Sequence, residues 1–197
     1  MTAPLPPGPF RTIVCDPPWP YEQATALQTK PSADGRHNTG AAELIYPLMS
    51  MDELRVLPVG SIADKNAHLY LWTTNSFMVE AHELARAWGF KPKTILTWVK
   101  TRHSEFGLPT SHPSMSTGTW YRSATEHALF CVRGVQRLLG APAPTAYLWP
   151  REPHSVKPDA FYRLVEYQSP APRVDIFARR PRKGWAVWGN EIQGETV

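Results

Sequence analysis

Short apolar runs rich in β-branched and aromatic residues alternate along this chain with runs whose apolar positions recur every three or four residues. The first, "RTIVC" at 11 to 15, is strand-like and stops at Asp16, because the prolines that follow can neither donate to a ladder nor turn at once into a helix. Residues 20 to 46 are polar and keep no period; a connection that long in a compact domain predicts a functional lid. Ser50, Met51, Asp52 and Glu53 have the form of a capping box, opening a short helix that must end near Pro58. "HLYLWTT", 68 to 74, is rich in strand formers. With Asn75 or Ser76 as N-cap, Phe77, Met78, Ala81, Leu84, Ala85 and Trp88 then keep helical spacing until Gly89. "KTILTWVK", 93 to 100, completes a βαβ pattern, which predicts a parallel pair joined by a right-handed crossover. Residues 101 to 124 read as loop with room for a hairpin-like excursion, before "EHALFCVR", 126 to 133, returns as strand. "TAYLW", 145 to 149, is a further short strand. Pro158 suits the first helical position, and Phe161, Tyr162, Leu164 and Val165 give a helix face reaching about Gln168. "RVDIFARR", 173 to 180, and "WAVWGNE", 185 to 191, close the series as strands with polar ends.

This alternation predicts a layered α/β domain whose ligand site lies at the carboxyl ends of parallel strands. Polar groups gather there: Asp16 after the first strand, Thr74 and Asn75 after the second, Asp175 in a late strand and Asn190 after the last. A length of 197 residues with 42% hydrophobic suits one compact domain over 1–197, its core about 10–192. Cys15 and Cys131 sit inside apolar runs, which predicts buried free thiols in a reducing compartment. "MTAPLPPGPF" has no basic segment leading into an apolar one, and no run approaches ~20 apolar residues. Both observations point to the cytoplasm and away from a membrane. A formal charge of +4 is compatible with a polyanionic partner without requiring one. His103, His112 and His154 lack metal-ligand spacing, so no metal site is expected.

Taken alone, Asp16-Pro17-Pro18-Trp19 reads equally well as a tight turn whose tryptophan covers the core and as a site motif in which an exposed aromatic follows an acid. The context decides. In order the chain carries "CDPPW" (15–19), "YPLMSMDEL" (46–54), "LYLWTTN" (69–75), "WGFK" (88–91), "TWVK" (97–100), "GTWYRSATEHALFCVRG" (118–134), "HSVKPDAFY" (154–162), "RVDIFARR" (173–180) and "GWAVWGNE" (184–191). Together these resemble the adenine-N6 methyltransferase family named after the seventy-kilodalton subunit of the messenger-RNA enzyme. The resemblance covers about 10–192 and implies an S-adenosylmethionine-dependent, Rossmann-like fold. Its motif order is permuted, the catalytic motif preceding the cofactor motif, and its mixed sheet has about seven strands flanked by helices. It also implies an antiparallel strand, for which 93–100 and 126–133 are the candidate pair.

The chemistry explains the residue types. The exocyclic amine of adenine is a poor nucleophile because its lone pair is delocalised into the ring. Asp16 supplies a charged acceptor for one N–H and the carbonyl of Pro17 accepts the other, held steady by proline's fixed φ. The resemblance makes Asp16, Pro17, Pro18 and Trp19 the catalytic group, with Trp19 stacking on an extruded adenine and Tyr21 helping a lid grip it. For the cofactor it implies Cys15 and Asp16 at the strand end, Lys157 for the carboxylate, Asp175, Phe177 and Arg179 along the cofactor strand, and Asn190 with Glu191 for the ribose. Glu126, Lys100 and Arg122 are candidates for the substrate, the two cations through its phosphates. The basic turn "ARRPRKG", 178 to 184, could meet a nucleic-acid backbone, although such a turn is more often a solvated loop.

Two departures stand out. Messenger-RNA members of the family usually carry Glu where Asp175 stands, and a His-Asn pair where Arg180, Pro181, Arg182 and Lys183 intervene here. The compactness of the chain matches bacterial or phage members, so DNA is expected ahead of RNA. Substrate recruitment is then expected from loops, from a homodimer or from a heterodimeric partner. A catalytically silent nucleic-acid-binding subunit is the contrasting reading, and the intact Asp16-Pro17-Pro18-Trp19 speaks against it.

Overall fold

The computed structural model describes residues 4–21, 48–103, 109–115, 121–151, 156–190 and 192. The strands are β1 (Phe10–Cys15), β2 (Ala63–Thr73), β3 (Lys91–His103), β4 (Pro109–Pro113), β5 (Thr125–Arg133), β6 (Ala146–Pro150), β7 (Arg173–Ile176) and β8 (Trp185–Trp188). They form one eight-stranded mixed sheet in the order β4-β3-β5-β2-β1-β7-β8, with β6 parallel to β3 off this path. The helices are α1 (Met51–Val56), α2 (Val59–Ile62), α3 (Met78–Ala87) and α4 (Asp159–Gln168).

The parallel pair expected from the strand-helix-strand pattern does not form as neighbours. β5 inserts between β2 and β3 and runs antiparallel to both, with Leu71 opposite Leu129 and Leu96 opposite Ala128. β2 and β3 therefore point the same way one strand apart. The reason is that β5 is apolar on both sides, Leu129 and Cys131 facing one core and Ala128 and Phe130 the other, which suits a central strand. The antiparallel pairing of 93–100 with 126–133 is present, running from Lys91 opposite Val132 to Val99 opposite Thr125.

Other boundaries shift for local reasons. Ser50 caps α1 as expected: its hydroxyl accepts from Glu53 N–H at 3.2 Å, and Glu53 accepts from Ser50 N–H at 2.7 Å. α3 is preceded by a 3-10 turn over Asn75–Phe77, and neither Asn75 nor Ser76 caps it; Gly89, at φ +83, ends it in the left-handed region. Pro158 is the N-cap of α4 rather than its first residue. β7 stops at Ile176 because Phe177 takes φ +64, a conformation that breaks the ladder. β4 lies in a stretch with no strand signal of its own and is held by its pairing with β3.

Period-two alternation splits the apolar residues into two cores. On one face Ile13, Cys15, Leu69, Leu71, Leu129 and Ile176 pack with Leu54, Val59 and Leu84 from α1, α2 and α3. On the other, Val14, Tyr70, Trp72, Trp98 and Ala128 pack with Phe161, Tyr162 and Val165 of α4. Each such large side chain contributes roughly 1.5–3 kcal/mol on burial. Cys15 and Cys131 are buried and unbridged. Among the described residues no helix is long and apolar enough to cross a membrane.

Candidate active site

The α4 face of the sheet changes character at one edge. On four adjacent strands the last core residue of that face is followed, two positions on, by a polar one. Val14 leads to Asp16, Trp72 to Thr74, Ala128 to Glu126 along the reversed β5, and Trp98 to Lys100. Lys157, just before α4, reaches the same place. Lys100 Nζ lies 2.5 Å from Glu126, and Lys157 Nζ lies 3.2 Å from Glu126 and 2.7 Å from Asp16. Two cations and two carboxylates thus alternate across the edge. Their indoles lie beneath: Lys157 sits 5.2 Å over Trp72 and Lys100 sits 5.3 Å over Trp98.

Burial sharpens these charges. For Glu126, burial pushes the carboxyl up, but Lys157 and then Lys100 outweigh it and hold the group down at about 2. For Lys157, burial opposes the charge, and Asp16 with Glu126 more than offsets it, so the ammonium loses its proton only well above the usual lysine range. Glu126 and Lys157 therefore stay ionised, and the four charged groups neutralise one another along the edge.

The turn after β1 is fixed by its own backbone. Asp16 N–H donates to Ile176 O at 3.2 Å, Trp19 N–H to Pro17 O at 2.9 Å, Tyr21 N–H to Trp19 O at 2.9 Å, and Met49 N–H to Pro18 O at 3.0 Å. Pro17 O has a second lone pair beyond the one that Trp19 uses. The turn, with Leu48, Thr73, Thr74, Glu126, Lys157 and Arg179, encloses a cavity of about 160 Å³. A smaller cleft adjoins it, sharing Asp16, Lys157 and Arg179 and adding Tyr162, Asp175, Phe177, Arg180 and Arg182.

Several expected residues fall differently from their reading in the sequence. Cys15 does not reach either cleft: it is 0% exposed on the opposite face of β1, and burial keeps its thiol protonated far above the usual range. Trp19 lines the cavity but is not an exposed platform. Only 3% exposed, it donates from Nε1 to Trp72 O at 3.1 Å and stacks on Phe77 with centroids 5.3 Å apart. Tyr21 is the aromatic at the mouth, 39% exposed, its hydroxyl 3.0 Å from Thr74 Oγ1 and its ring edge-on to Phe77. Lys100 is engaged by Glu126 rather than turned outward. Arg122 is exposed and lies outside the described lining of the cavity, as does the exposed Asn190 after β8. Glu191 and, apart from Pro20 and Tyr21, the lid expected over 20–46 lie outside the described residues. In the basic turn, Arg180 and Arg182 are tied to Asp159 at 2.5 and 2.9 Å.

The second cleft carries a group whose charge was not foreseen. Asp175 is 5% exposed and accepts from Tyr162 O–H at 2.8 Å, while Arg182 lies 3.6 Å over the Tyr162 ring. Burial, with Asp16 nearby, pushes its carboxyl from 3.8 up to about 7. The folded chain therefore favours the protonated acid; that contribution is full below about pH 3.8 and is lost as pH rises through about 7. Asp175→Asn cannot titrate, so it is expected to gain roughly 2 kcal/mol on wild type between pH 5 and pH 8. Denaturant unfolding at both pH values measures this, and parallel pH curves for the two proteins would contradict it. Tyr162 and Arg182 were missed as site residues because their link to Asp175 is tertiary; no local spacing announces it.

The donor set of the joined clefts fits S-adenosylmethionine. Lys157 and Arg179 suit a carboxylate, Asp16 and Asp175 suit an ammonium or ribose hydroxyls, and Phe177 offers an aromatic edge beside them. Phe177 holds φ +64 there, strain of the kind that collects at ligand sites. Among the described residues no group of three or more His, Cys, Asp or Glu could hold a metal.

Known proteins resemble this chain in sequence. A family model described as MT-A70 matches residues 10–191. The Type II methyltransferase M.MunI of a Mycoplasma species is 30% identical over 205 residues, covering 98% of this chain and 82% of that protein. An N(6)-adenosine-methyltransferase MT-A70-like protein of Arabidopsis thaliana is 30% identical over 193 residues, 95% of this chain and 24% of the relative. The human N(6)-adenosine-methyltransferase catalytic subunit METTL3 is 27% identical over 192 residues, 95% of this chain and 29% of the relative. The chain thus spans about a quarter of the length of the plant and animal relatives it matches. Since the match runs from β1 through Asp16, Lys157 and Asp175 to the residues after β8, this chain belongs to the MT-A70 family.

Proposed function

We propose that the chain transfers a methyl group from S-adenosylmethionine to the N6 amine of adenine in nucleic acid, DNA in the first place. The observation that carries this is the position of Asp16: it closes β1 at the cavity wall, beside the Pro17 carbonyl and 2.7 Å from Lys157 Nζ. S-adenosylmethionine, when bound, supplies an electrophilic methyl group. Asp16 accepts one N–H of the target amine and Pro17 O the other, which turns the nitrogen lone pair toward the reacting side. As the nitrogen becomes tetrahedral, Asp16 holds the proton it releases.

Lys157 exchanges part of its contact with Asp16 for the cofactor carboxylate, while Glu126 keeps the ammonium in place. Tyr21 and the rigid Trp19 wall flank the base. Hydrogen bonds to a charged partner are worth about 1.5–3 kcal/mol each, whereas orienting two reactants can supply up to about 7–11 kcal/mol. Positioning is the larger contribution, which suits a site fixed by prolines and backbone hydrogen bonds.

DNA is put first because the Type II methyltransferase M.MunI of a Mycoplasma species is matched over 82% of its length, in keeping with a compact bacterial type of chain. The N(6)-adenosine-methyltransferases of plants and animals motivate the RNA reading. Incubation with methyl-labelled S-adenosylmethionine and single- or double-stranded DNA or RNA separates them. Label is expected in DNA; label in RNA alone would move the assignment to the second reading, and label in neither polymer would indicate a silent binding subunit.

A further inference from the structure

At the opposite end of the sheet from Asp16, a groove of about 770 Å³ opens between the last turn of α3, the start of β3 and the end of β5. Its lining includes Arg86, Lys91, Lys93, Arg133 and Arg137 and no acidic residue. The entire chain carries a formal net charge of +4, so this one groove gathers more positive charge than the molecule has in balance. Several cations elsewhere are matched: Arg55 by Asp52 and Glu83, Arg180 and Arg182 by Asp159, Lys100 and Lys157 by Glu126. Among the described residues none of the groove's five cations has a carboxylate at ion-pair distance.

The groove is also partly organised. Arg133 donates from Nη1 to Gly60 O at 2.5 Å and lies 5.9 Å over Phe90, so its guanidinium is fixed. Gly89 lies against it, in a left-handed conformation, and the guanidinium provides the atoms nearest to where a side chain would start. Arg86, Lys91, Lys93 and Arg137 stand exposed around this anchor. Like charges crowded without counter-charges repel in the empty protein, and a polyanion relieves that repulsion on binding.

We propose that this groove binds the phosphodiester backbone of nucleic acid, as a second contact that holds the polymer away from the reacting base. It deepens the nucleic-acid reading above and rests on it, but it uses none of the same residues. At ~3.4 Å per residue along β5, Arg133 is about 24 Å from Glu126. A duplex touching both ends must therefore be longer than about seven base pairs at ~3.4 Å each.

The test compares wild type with the combined variant Arg86→Gln, Lys91→Gln, Lys93→Gln, Arg137→Gln, which leaves the packed Arg133 in place. Binding of duplexes of about 30 and about 6 base pairs is followed by fluorescence anisotropy between about 50 and 200 mM salt. Loss of about three phosphate contacts makes the salt slope shallower by about 2.7, so the wild-type advantage on the long duplex shrinks about fortyfold over that range. On the short duplex the two proteins are expected to bind alike. Equal slopes on the long duplex, or an equally large loss on the short one, would overturn the proposal. So would displacement of the long duplex by inorganic phosphate at matched ionic strength, which would make the groove a site for the free ion. Asp16→Ala keeps the groove, and it is expected to bind the long duplex with the full wild-type slope. If wild type transfers no methyl yet shows that slope and the quadruple variant loses it, the catalytic reading fails while the groove assignment stands.

Discussion

Asp16→Ala is expected to lower single-turnover methyl transfer by roughly 10²- to 10⁴-fold while leaving the chain folded. The carboxylate is the only charged acceptor that the turn after β1 presents to the cavity, and the neighbouring Pro17 carbonyl can take only one of the amine's two protons. The fold should tolerate the change, because Lys157 keeps Glu126 as a partner at 3.2 Å and the turn is tied by backbone bonds at Asp16, Trp19, Tyr21 and Met49. Asp16→Asn is the sharper form. It keeps the shape but presents a donor face as well as an acceptor, so it is expected to be nearly as slow. Circular dichroism establishes that the variants are folded, and quenched single-turnover reactions read the rate. Transfer at the wild-type rate in either variant would remove Asp16 from the mechanism.

Lys157→Met is expected to have the largest effect on stability. The ammonium is 9% exposed and lies between two carboxylates that are themselves 20% and 16% exposed. Removing it leaves two negative groups facing each other in a low-dielectric edge, with only Lys100 to compensate Glu126. Breaking a buried ion pair from one side typically costs about 3–5 kcal/mol. At about 2–4 °C per kcal/mol for a chain of this size, the melting temperature should fall by about 6–20 °C. Glu126 contributes stability above about pH 4.5, which is lost as pH falls through about 2. Without Lys157 that loss should begin at a higher pH. The double variant Lys157→Met, Glu126→Gln should recover part of the deficit, since it removes one of the stranded charges. A single variant that melts with the wild type would show that the alternating charges are not what holds this edge.

The two cores and the active-site edge differ in how far they could be read from sequence. Apolar runs rich in strand formers in "RTIVC", "HLYLWTT" and "EHALFCVR" located β1, β2 and β5, because burial on two faces leaves a dense apolar signature. It could not say that β5 lies between β2 and β3. Strand order is settled by which faces complement one another across the sheet, a comparison that local periodicity does not make. The Asp16 turn was legible for the opposite reason: two prolines directly after a strand restrict the backbone so strongly that its geometry is nearly implied.

Trp19 marks the limit of that legibility. Its indole could have faced solvent or core, and the choice depends on Trp72 O and Phe77, fifty or more residues away in the chain. The same holds for Lys157. Spacing placed it beside Pro158, but only the fold brings Asp16 and Glu126 to either side of it and gives it two partners before any ligand arrives. Asp175 is similar: the strand was foreseen, while its raised pKa comes from burial beneath α4 and from Asp16 just past the end of the neighbouring strand.

The central claim is that the Asp16 turn grips an exocyclic amine, so the atom that receives the methyl group is the most direct test. Wild-type protein is incubated with labelled S-adenosylmethionine and a DNA duplex containing all four bases, and the digested nucleosides are separated and identified by mass spectrometry. Label on the N6 of adenine is the expected result. Label on a ring nitrogen, a carbon or a ribose oxygen would contradict the account, because none of those positions offers the two N–H groups that Asp16 and Pro17 are placed to accept.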